Sequence, residues 1–202
     1  MLRVGTHAQM SKESSCASAG NSYGEEPASG CRLYHGNMDY GTWYENISKP
    51  FRSAGAAKAI NGLDRWLVYG IALVYLGLLA YLAFTLDARA IRFALVPAIA
   101  FAITTLIRGA VNAPRPYEQF DIDPIIHKST QGKSLPSRHV ASATIIACAL
   151  YWINVPLGIV AFAACIVVSA TRIIGGVHFP RDVFAAIALA LVIGVVGFAL
   201  IP

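Results

Sequence analysis

The sequence predicts an all-α fold, an integral membrane helical bundle of about five transmembrane helices, or six if residues 45–65 also insert. The chain has 202 residues, of which 56% are hydrophobic and only 13% charged. Residues 1–60 are polar, whereas residues 66–202 are mostly apolar. The stretch Trp66–Leu86 carries no charge over about 20 residues, which is enough to cross a bilayer. Such a chain is too apolar for a soluble domain and is typical of a multi-span membrane protein.

Three regions follow from this distribution. Residues 1–38 are rich in Ser, Gly, Ala and Glu without apolar periodicity, which predicts a disordered polar tail; a start at Met38 is a hypothesis. Residues 39–65 mix aromatic and basic side chains, which predicts an interfacial amphipathic segment, with a solvated linker helix as the alternative. Residues 66–202 form the predicted transmembrane domain.

The remaining spans are predicted by hydropathy from the apolar runs that follow the first one. They cover residues 93–107, 137–154, 156–174 and 182–201. Five crossings would place the loops at residues 109–136 and 175–181 on the same membrane face. Ionisable residues at the ends of spans are functional candidates by default, so this face is where we expect the chemistry.

Charge and cysteine content exclude several classes of function. The net charge of +5 is a weak indication of nucleic-acid binding, since most basic residues of the apolar part belong to the motifs below, and no nucleic-acid partner is predicted. Cys148 and Cys165 are predicted to be inert packing residues. A bridge between Cys16 and Cys31 is allowed but not demanded. The chain has no CxxC pair and no zinc-like spacing, so no metal or other cofactor is predicted.

The stretch Thr171–Asp182, TRIIGGVHFPRD, places an Arg, a His and an Asp at fixed offsets. A helix is expected to begin at about Pro180, because proline is favoured at the first helical position. Asp182 would then accept a hydrogen bond from one nitrogen of His178, which leaves the other as nucleophile or base. Arg172 adds a planar cation suited to phosphate. The alternative is three unrelated polar residues at a helix junction.

Two further stretches add cations and a helix start to the same predicted face. Arg108 and Arg115 are separated by six residues of a proline-containing loop. Ser137 is a natural N-cap, which would leave the N–H groups of Arg138 and His139 unpaired as an anion site. The alternatives are that Arg108 only satisfies a helix C-terminus, that Ser137 is only a cap and that His139 is a surface histidine.

Taken together, four arginines, two histidines, one aspartate and a helix N-terminus are expected to meet on one face. No second carboxylate is present for a metal pair. Cations and N–H donors can stabilise charge on equatorial phosphoryl oxygens, so the set suits phosphoryl transfer without a metal.

In this order the three motifs, Arg-x6-Arg-Pro, Pro-Ser-Arg-His and Thr-Arg-x5-His-x3-Asp, resemble the signature of the type 2 phosphatidic acid phosphatase family, which is related to the vanadium haloperoxidases. The resemblance covers roughly residues 39–202. It implies that His178 attacks phosphorus, that Asp182 orients it, and that His139 protonates the leaving oxygen and then activates water. It also implies that the phosphoryl oxygens are held by Arg108, Arg115, Ser137, Arg172 and the backbone N–H of residue 138.

Three positions depart from the family pattern. Arg108 replaces the usual Lys, which keeps the charge but changes its shape. Arg138 replaces the usual Gly, so its side chain must point away or join the phosphate site. Thr171 replaces the usual Ser. No catalytic group is lost, and the activity is retained as the expectation.

The resemblance implies a lipid phosphate substrate, such as phosphatidic acid, phosphatidylglycerol phosphate or undecaprenyl diphosphate, and a multi-pass location in the cell membrane. Within enzymes, the alternative is a soluble sugar phosphate. From another class, a non-catalytic protein that binds anionic lipid headgroups would need the arginines but no nucleophilic His178. Vanadate-dependent oxidation is disfavoured by the spans. The sequence leaves open the membrane side of the site and the oligomeric state.

Overall fold

The computed structural model describes residues 40–200, and within them the chain is helical without strands, as predicted. The predicted tail, including Cys16 and Cys31, lies outside the described residues. A 3-10 turn covers Lys49–Phe51. The α-helices are α1 (Tyr40–Ser48), α2 (Ala54–Phe84), α3 (Arg89–Val111), α4 (Pro116–Gln119), α5 (Arg138–Ile153), α6 (Val155–Ile174) and α7 (Pro180–Leu200).

Five long helices form the bundle, one for each of the five predicted spans. Four of them, α2, α3, α6 and α7, are long and apolar enough to cross a membrane. Helix α5 has 16 residues, so it rises only about 24 Å. Helix α2 begins at Ala54, earlier than the predicted span, because Ser53 Oγ accepts a hydrogen bond from Ala56 N at 3.3 Å and the alanine-rich start favours helix. Residues 45–65 do not form a separate sixth span.

Helix α5 lies at the centre of the bundle and is lined with small buried side chains. Its buried alanines are Ala141, Ala143, Ala147 and Ala149. Elsewhere in the bundle Gly197 of α7 passes so close to α3 that a Cβ there would lie 2.7 Å from Val96 Cγ1. Small residues let membrane helices approach one another closely. Large apolar side chains such as Leu73, Phe84 and Val192 are exposed on the outside, which suits contact with lipid tails.

The alternating directions of the helices bring the three motif loops to one end of the bundle. There, Ser137 N donates to the Asp182 carbonyl at 3.0 Å, which joins the starts of α5 and α7. Helix α1 packs on the same end: Tyr44 Oη donates to the Ile174 carbonyl at 3.1 Å and accepts from Ile125 N at 3.2 Å. The opposite end has only the short connections at residues 85–88 and at Asn154. The predicted convergence of the motif loops on one face is therefore confirmed.

Candidate active site

His178 lies in the loop between α6 and α7, is 3% exposed and faces Asp182 in the first turn of α7. The two side chains are not directly hydrogen-bonded, since His178 Nδ1 lies 3.7 Å from Asp182 Oδ2. Ser134 stands between them. Its Oγ donates to Asp182 Oδ2 at 2.5 Å and lies 3.3 Å from His178 Nδ1. Phe179 N also donates to Asp182 Oδ2, at 3.1 Å.

This arrangement determines the tautomer of His178. A serine hydroxyl has one proton, and Ser134 gives it to Asp182, so the Ser134 oxygen can only accept from His178 Nδ1–H. A proton on Nδ1 leaves the lone pair on Nε2. Sequence analysis missed Ser134, because nothing distinguishes it from any other loop serine except its place just before the Pro-Ser-Arg-His motif.

Arg108 and Arg115 are both buried and come from the two ends of the first motif. Arg108 Nη1 donates to the Pro136 carbonyl at 2.5 Å and lies 3.4 Å from the Ser134 carbonyl. It therefore also fixes the backbone that carries the second motif. Arg115 Nε donates to the Gly132 carbonyl at 3.1 Å, which holds its guanidinium in place.

The start of α5 carries the second motif. Ser137 occupies the N-cap position as predicted, but its hydroxyl makes no capping hydrogen bond. His139 is half-buried, and Arg138 is exposed with its guanidinium carbon 5.9 Å from the Phe101 ring centroid. The side chain that replaces the family's usual glycine therefore lies at the rim of the site, and both it and His139 line the same cavity.

Arg172 is 1% exposed and is paired with Asp64 of α2. Its Nε lies 3.1 Å from Asp64 Oδ1. Thr171 Oγ1 also lies 3.3 Å from Asp64 Oδ1. Sequence analysis missed Asp64, because the residue falls in the stretch predicted to be interfacial. The buried pair fixes the guanidinium of the third motif against the first long helix.

Three of the predicted phosphate-binding residues carry buried polar atoms that have no hydrogen-bond partner among residues 40–200. These atoms are Arg115 Nη1, Ser137 Oγ and Arg172 Nη1. An unpaired buried polar group costs about 1–3 kcal/mol, so native proteins rarely keep several of them together. The two guanidinium groups can only donate, which makes an anion the ligand that would satisfy them.

A cavity of about 400 Å³ brings most of the predicted site residues together. Five of the predicted residues line it, namely the two predicted histidines and three of the four predicted arginines. The full lining consists of Arg108, Arg115, His127, Lys128, Ser129, Thr130, Arg138, His139 and His178. Arg172 lines an adjoining cavity that also includes His139, while Ser137 and Asp182 are fully buried. The structure thus gathers all eight predicted side chains at one end of the bundle, and adds Lys128, which sequence analysis did not single out.

The electrostatics of this cavity keep His178 neutral. Burial lowers the pKa of His178 to about 4; Arg115 and Arg172 add to the effect and Asp182 opposes it. The imidazole is therefore uncharged at neutral pH, with a free lone pair on Nε2. Among residues 40–200, no group of three His, Cys, Asp or Glu side chains is placed to hold a metal ion.

Comparisons with known proteins place the chain in a family. Residues 89–202 match the PAP2 superfamily model. The fold is similar to that of LpxE from Aquifex aeolicus, with a TM-score of 0.63 and 21% identity, covering 78% of this chain and 93% of that one. It is also similar to the PAP2 type phosphatidylglycerolphosphate phosphatase from Bacillus subtilis, with a TM-score of 0.58 and 21% identity, covering 78% and 84%. No curated protein sequence matches the chain.

The match and the geometry agree on the same part of the molecule. The matched region runs from the start of α3 through α7 and contains every predicted site residue. Both similar structures extend the likeness of the fold to 78% of this chain. The chain therefore belongs to the PAP2 superfamily.

Proposed function

We propose that this enzyme hydrolyses a phosphate ester or diphosphate of a membrane lipid through a phosphohistidine intermediate on His178. The observation that carries the proposal is the state of His178. Its imidazole is buried and neutral, its Nδ1 faces the Ser134–Asp182 pair, and it lines a cavity rich in arginine. A neutral imidazole with one nitrogen anchored is poised for nucleophilic attack through the other.

In the first step, His178 Nε2 attacks phosphorus, a P–N bond forms and the ester P–O bond breaks. Positive charge develops on the imidazole, and the Ser134–Asp182 pair stabilises it through Nδ1–H. His139 gives a proton to the leaving oxygen. The negative phosphate favours the protonated form of His139 while it is bound. The guanidinium groups of Arg115 and Arg172 stabilise the charge on the equatorial oxygens.

In the second step, His139 accepts a proton from water, and the resulting hydroxide oxygen attacks the phosphohistidine. The P–N bond breaks, inorganic phosphate leaves and His178 returns to its neutral form. Each residue ends in its starting state, so the cycle needs no redox partner.

A lipid substrate is supported by the position of the site. The cavity lies at one end of helices that are long and apolar enough to cross a membrane, and those helices expose large apolar side chains along their length. A lipid that remains in the bilayer can therefore present its phosphate at this depth. The similar Bacillus subtilis protein is a phosphatidylglycerolphosphate phosphatase, which supports phosphatidylglycerol phosphate among the three predicted candidates, beside phosphatidic acid and undecaprenyl diphosphate.

The test is phosphate release by the full chain in detergent with EDTA, using the three lipids and glucose 6-phosphate. We expect release from at least one lipid, none from the His178→Ala variant and a slower rate from Asp182→Asn. Brief reaction with a lipid labelled in its terminal phosphate, followed by an alkaline quench, should label the wild type and leave the His178→Ala variant unlabelled. Thermal unfolding of each variant controls for loss of fold.

Three results would contradict the proposal. Appreciable turnover by a folded His178→Ala variant would exclude the nucleophile. Release from glucose 6-phosphate alone would exclude the lipid substrate. Binding of the lipids without turnover would favour the headgroup-binding alternative.

A further inference from the structure

A second cavity of about 150 Å³ lies beside the phosphate cavity, on the side of α2. The two cavities share two residues, Lys128 and His139. Along α2, the second one is lined by a stripe that includes Asn61, Arg65 and Tyr69. These three positions are spaced four residues apart, so they lie on one face of the helix.

The position of His139 gives this cavity a role in the proposed reaction. His139 would protonate the leaving oxygen, so the leaving group must lie next to it. The phosphate cavity holds the attacking His178, and His139 is one of the two residues that line both cavities. The second cavity is therefore the place for the part of the leaving group nearest the scissile bond.

The size of the cavity limits what it can hold. A water needs at least about 10–15 Å³ of such cavity volume, so about 150 Å³ leaves room for a group larger than one water, such as a phosphate. The polar side chains of the lining, among them Asp64, Arg65 and Lys128, do not suit an acyl or prenyl chain. The acyl or prenyl chain of the substrate would leave the cavity past Val68 and Tyr69, toward the exposed apolar surface of α2.

The charges of the cavity are positive. Its single carboxylate, Asp64, is already paired with Arg172. Arg65 and Lys128 form no ion pair with any residue from 40 to 200. Burial, together with the charges of Arg172 and Arg115, lowers the pKa of Lys128 to about 8. A bound anion would relieve that unfavourable positive field.

From this geometry we infer that the second cavity is a leaving-group site for an anionic phosphate, bound by Arg65 and Lys128. The inference rests on the proposed function and narrows its substrate class. The preferred substrate carries a second phosphate on the leaving side of the scissile bond. A lipid diphosphate and phosphatidylglycerol phosphate both satisfy this requirement. Phosphatidic acid does not, because its leaving group is a neutral diacylglycerol.

The test compares two pairs of substrates that share their lipid chains. These are farnesyl diphosphate with farnesyl phosphate, and phosphatidylglycerol phosphate with phosphatidic acid. The variants are Arg65→Gln and Lys128→Gln, with Lys58→Gln as the matched control, because Lys58 is an exposed lysine two turns earlier on α2. For a substrate with a second phosphate, we expect kcat/KM to fall about tenfold in Arg65→Gln and in Lys128→Gln.

The Lys58→Gln control should leave kcat/KM unchanged for both pairs of substrates. The site is supported if kcat/KM falls only for the member of a pair that carries the second phosphate. The pair in which this happens, farnesyl or phosphatidyl, identifies the source of the second phosphate. A loss in Arg65→Gln that is equal for both members of each pair, or no loss at all, overturns the inference.

A binding measurement keeps the inference testable if no substrate is hydrolysed. Calorimetric titration of the full chain in detergent should show pyrophosphate binding at least about tenfold tighter than inorganic phosphate, and Arg65→Gln should remove that difference. Without turnover, this result would reject the proposed function and leave the anion site standing. Equal affinity of the wild type for the two anions would overturn the site.

Discussion

Asp87 and Arg89 form an ion pair at one end of the bundle, and Asp64 and Arg172 form one at the other. The first pair is short, 2.6 Å, but its side chains are 25% and 53% exposed. Hydrogen bonds from Arg89 lower the pKa of Asp87 to about 2. The second pair is 3.1 Å long, and its side chains are only 10% and 1% exposed.

The two pairs differ in whether the remaining N–H donors of the arginine can find a hydrogen-bond partner. Arg89 can hydrogen-bond to water, whereas Arg172 Nη1 is buried without a partner among the described residues. A buried ion pair costs desolvation that its own attraction often fails to repay. We propose that the second pair is kept for this free donor, which a phosphate would occupy, and not for stability.

The largest effect in this comparison is expected for Asp64→Asn. The amide keeps the shape of the side chain but leaves Arg172 as an uncompensated buried charge, which costs about 3–5 kcal/mol. The midpoint of thermal unfolding in detergent should fall by several degrees. The kcat/KM for phosphate release should also fall at least about tenfold, because the guanidinium loses its anchor.

Asp87→Asn is the matched control for that experiment, since it makes the same change in the exposed pair. If Asp64→Asn unfolds at the same temperature as Asp87→Asn and turns over at the wild-type rate, Asp64 does not hold the Arg172 guanidinium.

The same contrast explains which parts of the molecule could be predicted from the sequence. Long apolar runs predicted the spans, because a bilayer imposes their length. The motif residues were recognised because they are close together in the chain. Asp64 was missed because its partner Thr171 lies 107 positions away, and hydropathy does not show which face of α2 meets α6. Ser134 and Lys128 were missed because they lie in a long loop whose path only the packed bundle determines.

A smaller effect is expected for Ser134→Ala, which removes the link between His178 and Asp182. The contact between His178 Nδ1 and Ser134 Oγ is long, at 3.3 Å, so its loss should cost only about 0.5–1.5 kcal/mol, and kcat should fall about three- to tenfold. KM should stay the same, because Ser134 lies on the Nδ1 side of the imidazole, away from the phosphate. Steady-state kinetics on the preferred lipid would check this split.

Asp182→Asn sharpens this prediction, because it removes the charge that stabilises the developing imidazolium and should reduce kcat further than Ser134→Ala does. A Ser134→Ala variant with the wild-type kcat would mean that Asp182 acts on His178 without the serine.

The smallest effect is expected for Asp87→Asn, although this pair has the shorter contact. Both partners remain accessible to water, and exposed ion pairs contribute little to stability. The asparagine oxygen can still accept the hydrogen bond that Asp87 Oδ1 takes from Arg89 N at 2.9 Å. The unfolding midpoint should therefore change by less than about 2 °C, and kcat/KM should be unchanged. A loss of activity in this variant would show that the turn at residues 85–88 is coupled to the site across the full length of the bundle. The burial of each ion pair would then no longer explain the difference between the two ends.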